Sequence, residues 1–192
     1  LINVGEIIED STVAKIPFIS LFLISLTFSL NVTSQDKFTS GPTIKNYGKH
    51  AKVTLSQPLN RNTKFKVAFD VSERTGEDTI NRRFDTLARF INMHVANGVP
   101  LENIELALVV HGKAGFDLLH STAYKKQFSK ANPTADLVKE LLANNVKVFL
   151  CGQSAAYYNI ENSDLIAEVQ MALSAMTANA QLSQQGFALN PF

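Results

Sequence analysis

This sequence has little cysteine, proline, glycine or charge, and each shortage excludes a class of protein. Its 192 residues contain one cysteine, which excludes an internal disulfide framework and any CxxC metal or redox motif. Six prolines and nine glycines are too few for a collagen-like or low-complexity chain. Charged residues make up 18% and hydrophobic residues 45%, a composition too apolar for a disordered chain. The length fits one domain with a real core, with or without an appendage.

The sequence also gives little sign of bound nucleic acid, metal or nucleotide. A net charge of +1 produces no strong field for nucleic acid. Four scattered histidines without further cysteines do not favour a structural zinc site. The stretch from Gly112 to Gly115 only superficially resembles a phosphate-binding loop, because it lacks the P-loop spacing and its Ser or Thr. We therefore expect no metal, no cofactor and no nucleic acid partner.

The first forty residues differ from the rest. Residues 16–30 form a run of fifteen residues without a charge, preceded by Lys15. A membrane-spanning helix needs about 20 apolar residues, so this run better fits the apolar region of a secretory signal peptide. Small residues up to Ser34 predict cleavage near Ser34 and Gln35, and hence an exported, periplasmic protein. The acidic residues 1–14 do not fit a signal peptide and are interpreted as an upstream extension.

Two other interpretations of this run stay open. Residues 16–30 would serve as a retained membrane anchor, or as a buried element of the folded domain. With export, the chain divides into residues 1–34 (signal peptide with extension), 35–62 (an irregular lead-in) and 63–192 (an α/β domain). In the lead-in, residues 52–55 predict one short edge strand.

The body of the chain alternates strand and helix patterns. Apolar runs predict strands over 64–70, 104–111, 146–150, 168–173 and 187–189. An apolar stripe at helical spacing predicts a helix over 79–96, and further helices are expected from Asn132, over 154–158 and over 174–185. Asn132 and Pro133 are read as the N-cap and first turn of their helix. Between Gly112 and Lys130 only a short helical piece, near 116–119, is expected.

This order predicts an α/β fold: a doubly wound, mostly parallel five-stranded sheet with helices on both faces, of the flavodoxin-like type. In such folds the functional crevice lies at the carboxyl ends of the strands. Asp70, His111 and Cys151 end three predicted strands and should meet there. A 2-1-3 strand order would put Asp70 in the middle and separate His111 from Cys151 by about 10 Å, two strand spacings. That distance argues against a protease-like Cys–His pair.

Cys151 is the strongest candidate for chemistry. It ends a strand, and Gly152, Gln153 and Ser154 follow it at the expected start of a helix. Free backbone N–H groups and the helix dipole at such a position favour an anion, such as a thiolate or a persulfide. Gly152 allows close approach of the backbone. The alternative is a buried, inert cysteine.

His111 and Asp70 are weaker candidates at the same edge. His111, followed by Gly112, would donate to a bound anion or tune the thiol, or else simply cap a loop. Asp70 would orient a partner group, or else begin a turn. The candidate binding residues are therefore His111, Gly112, Gly152, Gln153, Ser154 and Asp70, beside Cys151.

Several segments resemble the DsrE/DsrF-like proteins. They are VKVFLCGQSAAYYNI (146–160), ALVVHG (107–112), the helix that starts at Asn132 and Pro133, and the last helix with its Gln185-Gly186-Phe187 ending. The resemblance covers about residues 64–190 and is greatest to an exported single-domain branch. It implies a sulfur-relay fold in which Cys151 accepts and passes on persulfide sulfur, and it implies a homo-oligomer. The relay subunits of the family work in the cytoplasm with partner subunits and carrier proteins, which an exported chain would not meet.

Three functions follow from these observations. The first is a sulfur-handling protein, a carrier or a sulfurtransferase, that exchanges persulfide sulfur between unidentified donor and acceptor thiols or proteins. The second is a non-catalytic ligand-binding or oligomeric assembly module with an inert Cys151. The third is redox sensing through an intermolecular disulfide, since a lone cysteine needs an outside thiol.

Overall fold

A sheet of five parallel strands organises the protein. The computed structural model describes residues 37–76 and 78–190. The strands of the sheet are β3 (Phe65–Val71), β4 (Ile104–Val110), β5 (Lys147–Cys151), β6 (Gln170–Ala172) and β7 (Ala188–Asn190). Two shorter strands, β1 (Phe38–Thr39) and β2 (His50–Ala51), pair with each other in antiparallel fashion. The predicted five-stranded α/β fold is confirmed.

The order of the strands differs from the prediction. The sheet runs β6-β5-β4-β3-β7, so β4 lies between β3 and β5. The predicted 2-1-3 arrangement, with the strand of Asp70 in the middle, is therefore wrong. The connections from β3 to β6 all step in one direction, and only the last one returns, pairing β7 with β3. Right-handed crossovers then place the helix of the returning step on the opposite face from the others.

Five α-helices connect the strands within the described residues. They are α1 (Arg82–Ala96), α2 (Ser121–Phe128), α3 (Ala135–Ala143), α4 (Gly152–Tyr158) and α5 (Ala175–Gln184). α1 begins later than residue 79 because the Asn81 side chain caps it, accepting a hydrogen bond from the N–H of Arg83. α5 begins after Ser174, whose hydroxyl accepts from the N–H of Thr177.

The start of α3 corrects a prediction. Thr134, not Asn132, is its N-cap. The Asn132 side chain accepts from the N–H of Thr134 at 2.9 Å and donates to the carbonyls of Asp117 and Leu119. Asn132 therefore ties the preceding loop to the helix instead of opening the helix itself.

The connection between β4 and β5 holds more helix than expected. The short helical piece near 116–119 is a 3₁₀ helix, Gly112–Leu118, and α2 follows it. α2 was not predicted, because its sequence lacks a clear apolar stripe and an Asn, Asp, Ser or Thr cap. His120 takes that place, and its Nδ1 accepts from the N–H groups of Thr122 and Ala123.

The two faces of the sheet carry separate cores. The larger core covers the face that α1 to α4 pack against, and the smaller core lies under α5. Successive side chains of a strand point to opposite faces, so Phe69 and Leu108 enter the larger core while Ala68 and Ala107 enter the smaller. The small side chains on the second face let α5 lie close to the sheet.

The lead-in is anchored on α1. Ile44 is fully buried, and the Asn92 side chain accepts from its N–H and donates to its carbonyl, both at 2.8 Å. The edge strand predicted over 52–55 is not formed, since the pairing residues in this region are His50–Ala51.

The predicted export segment, residues 1–34, lies outside the described residues, as does the apolar run 16–30. Among residues 37–76 and 78–190, no helix has the length and hydropathy needed to cross a bilayer. The described residues belong to one unit, Gln35–Phe192.

Candidate functional site

Asp70, His111 and Cys151 meet at the carboxyl edge of the sheet. Ala68 and Val109 belong to the core under α5, so Asp70 and His111, two residues further along extended backbone, project to the same face. Cys151 belongs to that core itself. The three side chains line one open cavity of about 330 Å³. Alternation along three adjacent strands is thus what brings them together.

His111 lies beside Cys151. The pairs Val109–Phe149 and Val110–Leu150 fix the register of β4 and β5, and one further step brings His111 level with Cys151. The Cα atoms of adjacent strands are about 4.8 Å apart. The predicted separation of about 10 Å is therefore wrong, because β4 rather than β3 is the central strand. At the spacing of adjacent strands, distance no longer argues against a Cys–His pair.

Cys151 lies where the chain leaves two neighbouring strands, β5 and β6, toward opposite faces of the sheet. It is the last residue of β5 and the N-cap of α4. Ala155 of α4 packs in the larger core, whereas Ala178 of α5 packs in the smaller, so the segments after β5 and β6 cross to opposite faces. A crevice opens between parallel strands at such a divergence. The thiol therefore lies at the point of this sheet where a ligand is most readily received.

The first residues of α4 and of α5 both act on the Cys151 thiol. The backbone N–H groups of Gln153 and Ser154, in the first turn of α4, favour its thiolate form, and so does the N–H of Ala175, the first residue of α5. The hydroxyl of Ser154 has the same effect, whereas the Cys151 side chain does not itself cap α4 by a hydrogen bond. The starts of two helices thus favour negative charge at this position.

These contacts change the acidity of the thiol. Burial raises the pKa of Cys151, but the hydrogen bonds from Ser154, Ala175 and Gln153 lower it, and the net pKa is below the ordinary value for cysteine. Cys151 is only 6% exposed, yet it lines an open cavity. A small reagent can therefore approach a sulfur whose thiolate form is stabilised.

Two glycines make this close packing feasible. A Cβ on Gly152 would lie 2.7 Å from the carbonyl oxygen of Ala172 in β6, a contact that backbone atoms cannot relieve. Gly112 has φ +55°, and a Cβ there would lie 2.7 Å from the carbonyl oxygen of Ser72. Gly152 sets the start of α4 against β6, and Gly112 turns the chain away immediately after His111.

A carboxylate orients the imidazole. The Oδ2 of Asp70 lies 2.9 Å from the Nε2 of His111, and its Oδ1 accepts a hydrogen bond of 2.8 Å from the Nδ2 of Asn179 in α5. Both Asp70 and His111 are about one-third exposed, at 32% and 34%. Both oxygens of Asp70 are thus engaged, and its carboxyl plane is fixed by groups from two elements.

Sequence reasoning missed the residues that α5 contributes. Asn179 stands 109 positions after Asp70, and nothing in its sequence context distinguishes it. Ala175 acts through its backbone N–H, which any residue would supply. Met176 borders the cavity and is 80% exposed. Only the returning crossover of α5 places these residues at the site.

Within residues 37–76 and 78–190, no group of three or more His, Cys, Asp or Glu is arranged to hold a metal ion.

Comparison with known proteins gives the family. No curated protein matches the sequence. Among solved structures, a protein of unknown function from Methanobacterium thermoautotrophicum is similar, with 16% identity and a TM-score of 0.48 over 66% of this chain and 98% of that one. A sequence model of the DsrE/DsrF-like family matches residues 66–191, which include all five strands of the sheet except the first residue of β3. The chain therefore belongs to the DsrE/DsrF-like family.

Proposed function

We propose that this protein accepts persulfide sulfur on Cys151 and passes it to an acceptor thiol, as a sulfur carrier or a sulfurtransferase. The observation that carries the proposal is the place of Cys151, at the end of β5, in an open cavity that His111 and the first residues of α4 and α5 also line. Membership of the DsrE/DsrF-like family supports a sulfur-relay role.

The same N–H groups favour both steps of a sulfur transfer. A thiolate is the nucleophile that attacks a sulfane sulfur, and the lowered pKa of Cys151 increases its thiolate fraction at a given pH. When an acceptor then takes the outer sulfur, negative charge returns to the Cys151 sulfur. The N–H groups at the starts of two helices stabilise that charge again.

Mass spectrometry tests the proposal directly. Inorganic polysulfide should add one sulfur atom, roughly 32 Da, to the folded protein, because the thiolate is the reactive species. The Cys151→Ser variant, which keeps the size of the side chain, should gain nothing. A folded wild-type protein that stays unmodified under these conditions would remove the proposal.

One observation favours the alternative, a ligand-binding or assembly module with an inert cysteine. Only 6% of Cys151 is exposed, as is common for structural cysteines. In that case, alkylation of the folded protein by iodoacetamide would be far slower than alkylation of the chain in denaturant. The proposed function requires the folded thiol to react at least as fast as the unfolded one near pH 7.

The sulfur donor would be a persulfide and the acceptor a thiol, each either small or carried on a protein. We further propose that the protein is a homo-oligomer. Three exposed apolar side chains support this, Tyr157 at 79%, Leu173 at 72% and Met176 at 80% exposure, since exposed apolar surface often marks an interface. Sedimentation analysis of wild type against Met176→Glu tests it. A monomeric wild-type protein would contradict the proposal.

Export is proposed from the sequence alone. The uncharged run 16–30 supports export, with cleavage of the signal peptide near Ser34 and Gln35. N-terminal sequencing of the protein from its native host would find Gln35 or a close neighbour first. A chain that keeps residues 16–30 in the membrane fraction would favour the anchor instead.

A further inference from the structure

One ring nitrogen of His111 is hydrogen-bonded to Asp70, and the other is available as a base. An ionised carboxylate only accepts hydrogen bonds, so the 2.9 Å contact with Asp70 Oδ2 places a hydrogen on the Nε2 of His111. In the neutral ring, Nδ1 is then the basic nitrogen. Asn179 holds the other oxygen of Asp70 at 2.8 Å, which keeps the carboxylate in the orientation that selects this tautomer.

His111 shares its cavity and its strand level with Cys151. Asp70, His111 and Cys151 are the titratable side chains that line the cavity, and the other lining residues are uncharged. The N–H groups of α4 and α5 already favour the thiolate of Cys151. A base and acid beside it would therefore serve the thiols that enter and leave.

We propose that His111 is the acid–base residue of sulfur transfer at Cys151, with Asp70 and Asn179 as its positioning residues. This inference rests on the proposed function and adds the path of the proton to it. It also assigns the substrate class, a thiol or persulfide small enough or exposed enough to bring its sulfur into a cavity of about 330 Å³.

One imidazole accounts for the proton transfers of both steps, since His111 gives a proton in the first and takes one in the second. In the first step the Cys151 thiolate attacks the outer sulfur of a donor persulfide R–S–SH. A new S–S bond forms at Cys151, the donor S–S bond breaks, and the leaving R–S⁻ takes a proton from the imidazolium of His111. In the second step His111 takes the proton of an acceptor thiol, whose thiolate attacks the outer sulfur and releases the Cys151 thiolate. The sum is R–S–SH plus R′–SH giving R–SH plus R′–S–SH, with no net oxidation.

The two steps can be separated by the choice of donor. Inorganic polysulfide leaves as a stable anion that needs no proton, so it should load Cys151 whether or not His111 is present. Transfer to free cysteine requires removal of a thiol proton, since the ordinary cysteine pKa is about 8.5. Loading therefore tests the proposed function, and transfer from the loaded protein tests the role of His111.

The experiment follows the loss of the roughly 32 Da adduct after polysulfide-loaded protein is mixed with free cysteine, between pH 6 and 9.5. His111→Gln should load normally and transfer up to about 30-fold more slowly at pH 7, because about 3% of free cysteine is already thiolate there and needs no base. The deficit should shrink toward none near pH 9.5, where solvent deprotonates the acceptor. Asp70→Asn should transfer more slowly as well. An amide at position 70 can donate a hydrogen bond to Nε2 of His111, so the ring hydrogen is no longer held on that nitrogen.

Controls distinguish chemistry from damage to the fold. Imidazole added to His111→Ala should restore part of the rate, which a purely structural role would not allow. Lys113→Gln, an exposed change two residues away, should behave as wild type. If His111→Gln transfers at the wild-type rate at every pH and imidazole has no effect on His111→Ala, the inference is wrong while the loading result keeps the proposed function. If Cys151 does not load at all, the proposed function fails first.

Discussion

Ser154 joins the end of β4 to the thiol of Cys151. Its hydroxyl oxygen accepts a hydrogen bond from the N–H of Gly112 at 2.9 Å, and the same hydroxyl lowers the pKa of Cys151. The loop that follows His111 therefore orients a donor toward the nucleophile. One side chain in the first turn of α4 couples the geometry of both candidate groups.

Ser154→Ala should raise the pKa of Cys151. The variant removes one of the groups that lower this pKa and leaves the Gly112 N–H without its acceptor, at a cost of about 1–3 kcal/mol in stability. The pH dependence of iodoacetamide alkylation of the folded protein measures the thiol directly, and its midpoint should move to higher pH than in wild type. Ser183→Ala, an exposed serine of α5, is the matched control. An unchanged midpoint in Ser154→Ala would show that the hydroxyl does not stabilise the thiolate.

Gly152→Ala should destabilise the protein and slow the reactions of Cys151. The new Cβ would lie 2.7 Å and 3.1 Å from the carbonyl oxygens of Ala172 and Leu173, so the start of α4 must move away from β6. Such overpacking costs about 1–3 kcal/mol. Urea denaturation and the alkylation rate at pH 7 measure the two effects.

Gly115→Ala is the matched control for that change. Its Cβ would meet the Leu150 Cδ1 atom at 3.0 Å, and the end of a side chain can move where backbone cannot. We expect a smaller loss of stability and unchanged alkylation of Cys151. Equal losses of reactivity in the two variants would contradict the role given to Gly152.

Arg74→Met should cost about 3–5 kcal/mol, because it leaves a buried carboxylate unpaired. The Nε of Arg74 donates to Asp117 at 3.0 Å, its guanidinium lies 4.3 Å from the ring centre of Phe128, and Asp117 is 2% exposed. Burial raises the pKa of Asp117, opposed by its contacts with Asn81 and Arg74. Guanidinium denaturation gives the loss in free energy of unfolding.

The double variant Arg74→Met, Asp117→Asn separates charge from packing. It removes the unpaired charge and keeps the side-chain volumes similar, so much of the lost stability should return. The single variant Arg74→Lys should be more stable than Arg74→Met but less stable than the double variant. Its ammonium group lacks the planar surface that stacks on the aromatic rings. A double variant no more stable than Arg74→Met would mean that packing against Phe128 dominates.

Stability should fall as the pH drops because of His94. This ring packs against both Phe65 and Phe90, with ring centres 4.3 and 4.0 Å away, and its Nδ1 lies 2.7 Å from the Phe90 carbonyl oxygen. Burial lowers the pKa of His94, partly opposed by the hydrogen bond to Phe90. The folded pKa thus lies below the unfolded value of about 6.5, the unfolded chain binds more protons between the two, and stability is lost as the pH falls through that range.

Urea denaturation at pH 7.5 and pH 5 measures this effect. His94→Gln removes the titrating ring, so the loss of stability between the two pH values should be smaller than in wild type. The quantity compared is the change in free energy of unfolding between the two pH values, since the variant is also less stable at each of them. If the variant shows the full wild-type loss of stability between pH 7.5 and pH 5, His94 is not the cause of that loss.

The sequence predicted the fold class because its signal is local. Apolar runs marked all five strands of the sheet, and the stripe of α1 marked its longest helix. The same reasoning missed α2, whose cap is a histidine, and misassigned the cap of α3 to Asn132. A cap depends on which side chain reaches the free N–H groups, and that is decided by the loop that precedes the helix.

By itself the sequence determined that Asp70, His111 and Cys151 lie at or next to the carboxyl ends of three strands of a parallel sheet, and so at one edge of it. Which of them are neighbours was decided by the order of the strands, since every crossover is free in sequence to step in either direction. The tertiary structure placed β4 in the centre and returned α5 across the opposite face. That return delivers Asn179 to Asp70 and the Ala175 N–H to the sulfur, contacts between residues far apart in the chain that only the packed sheet can bring together.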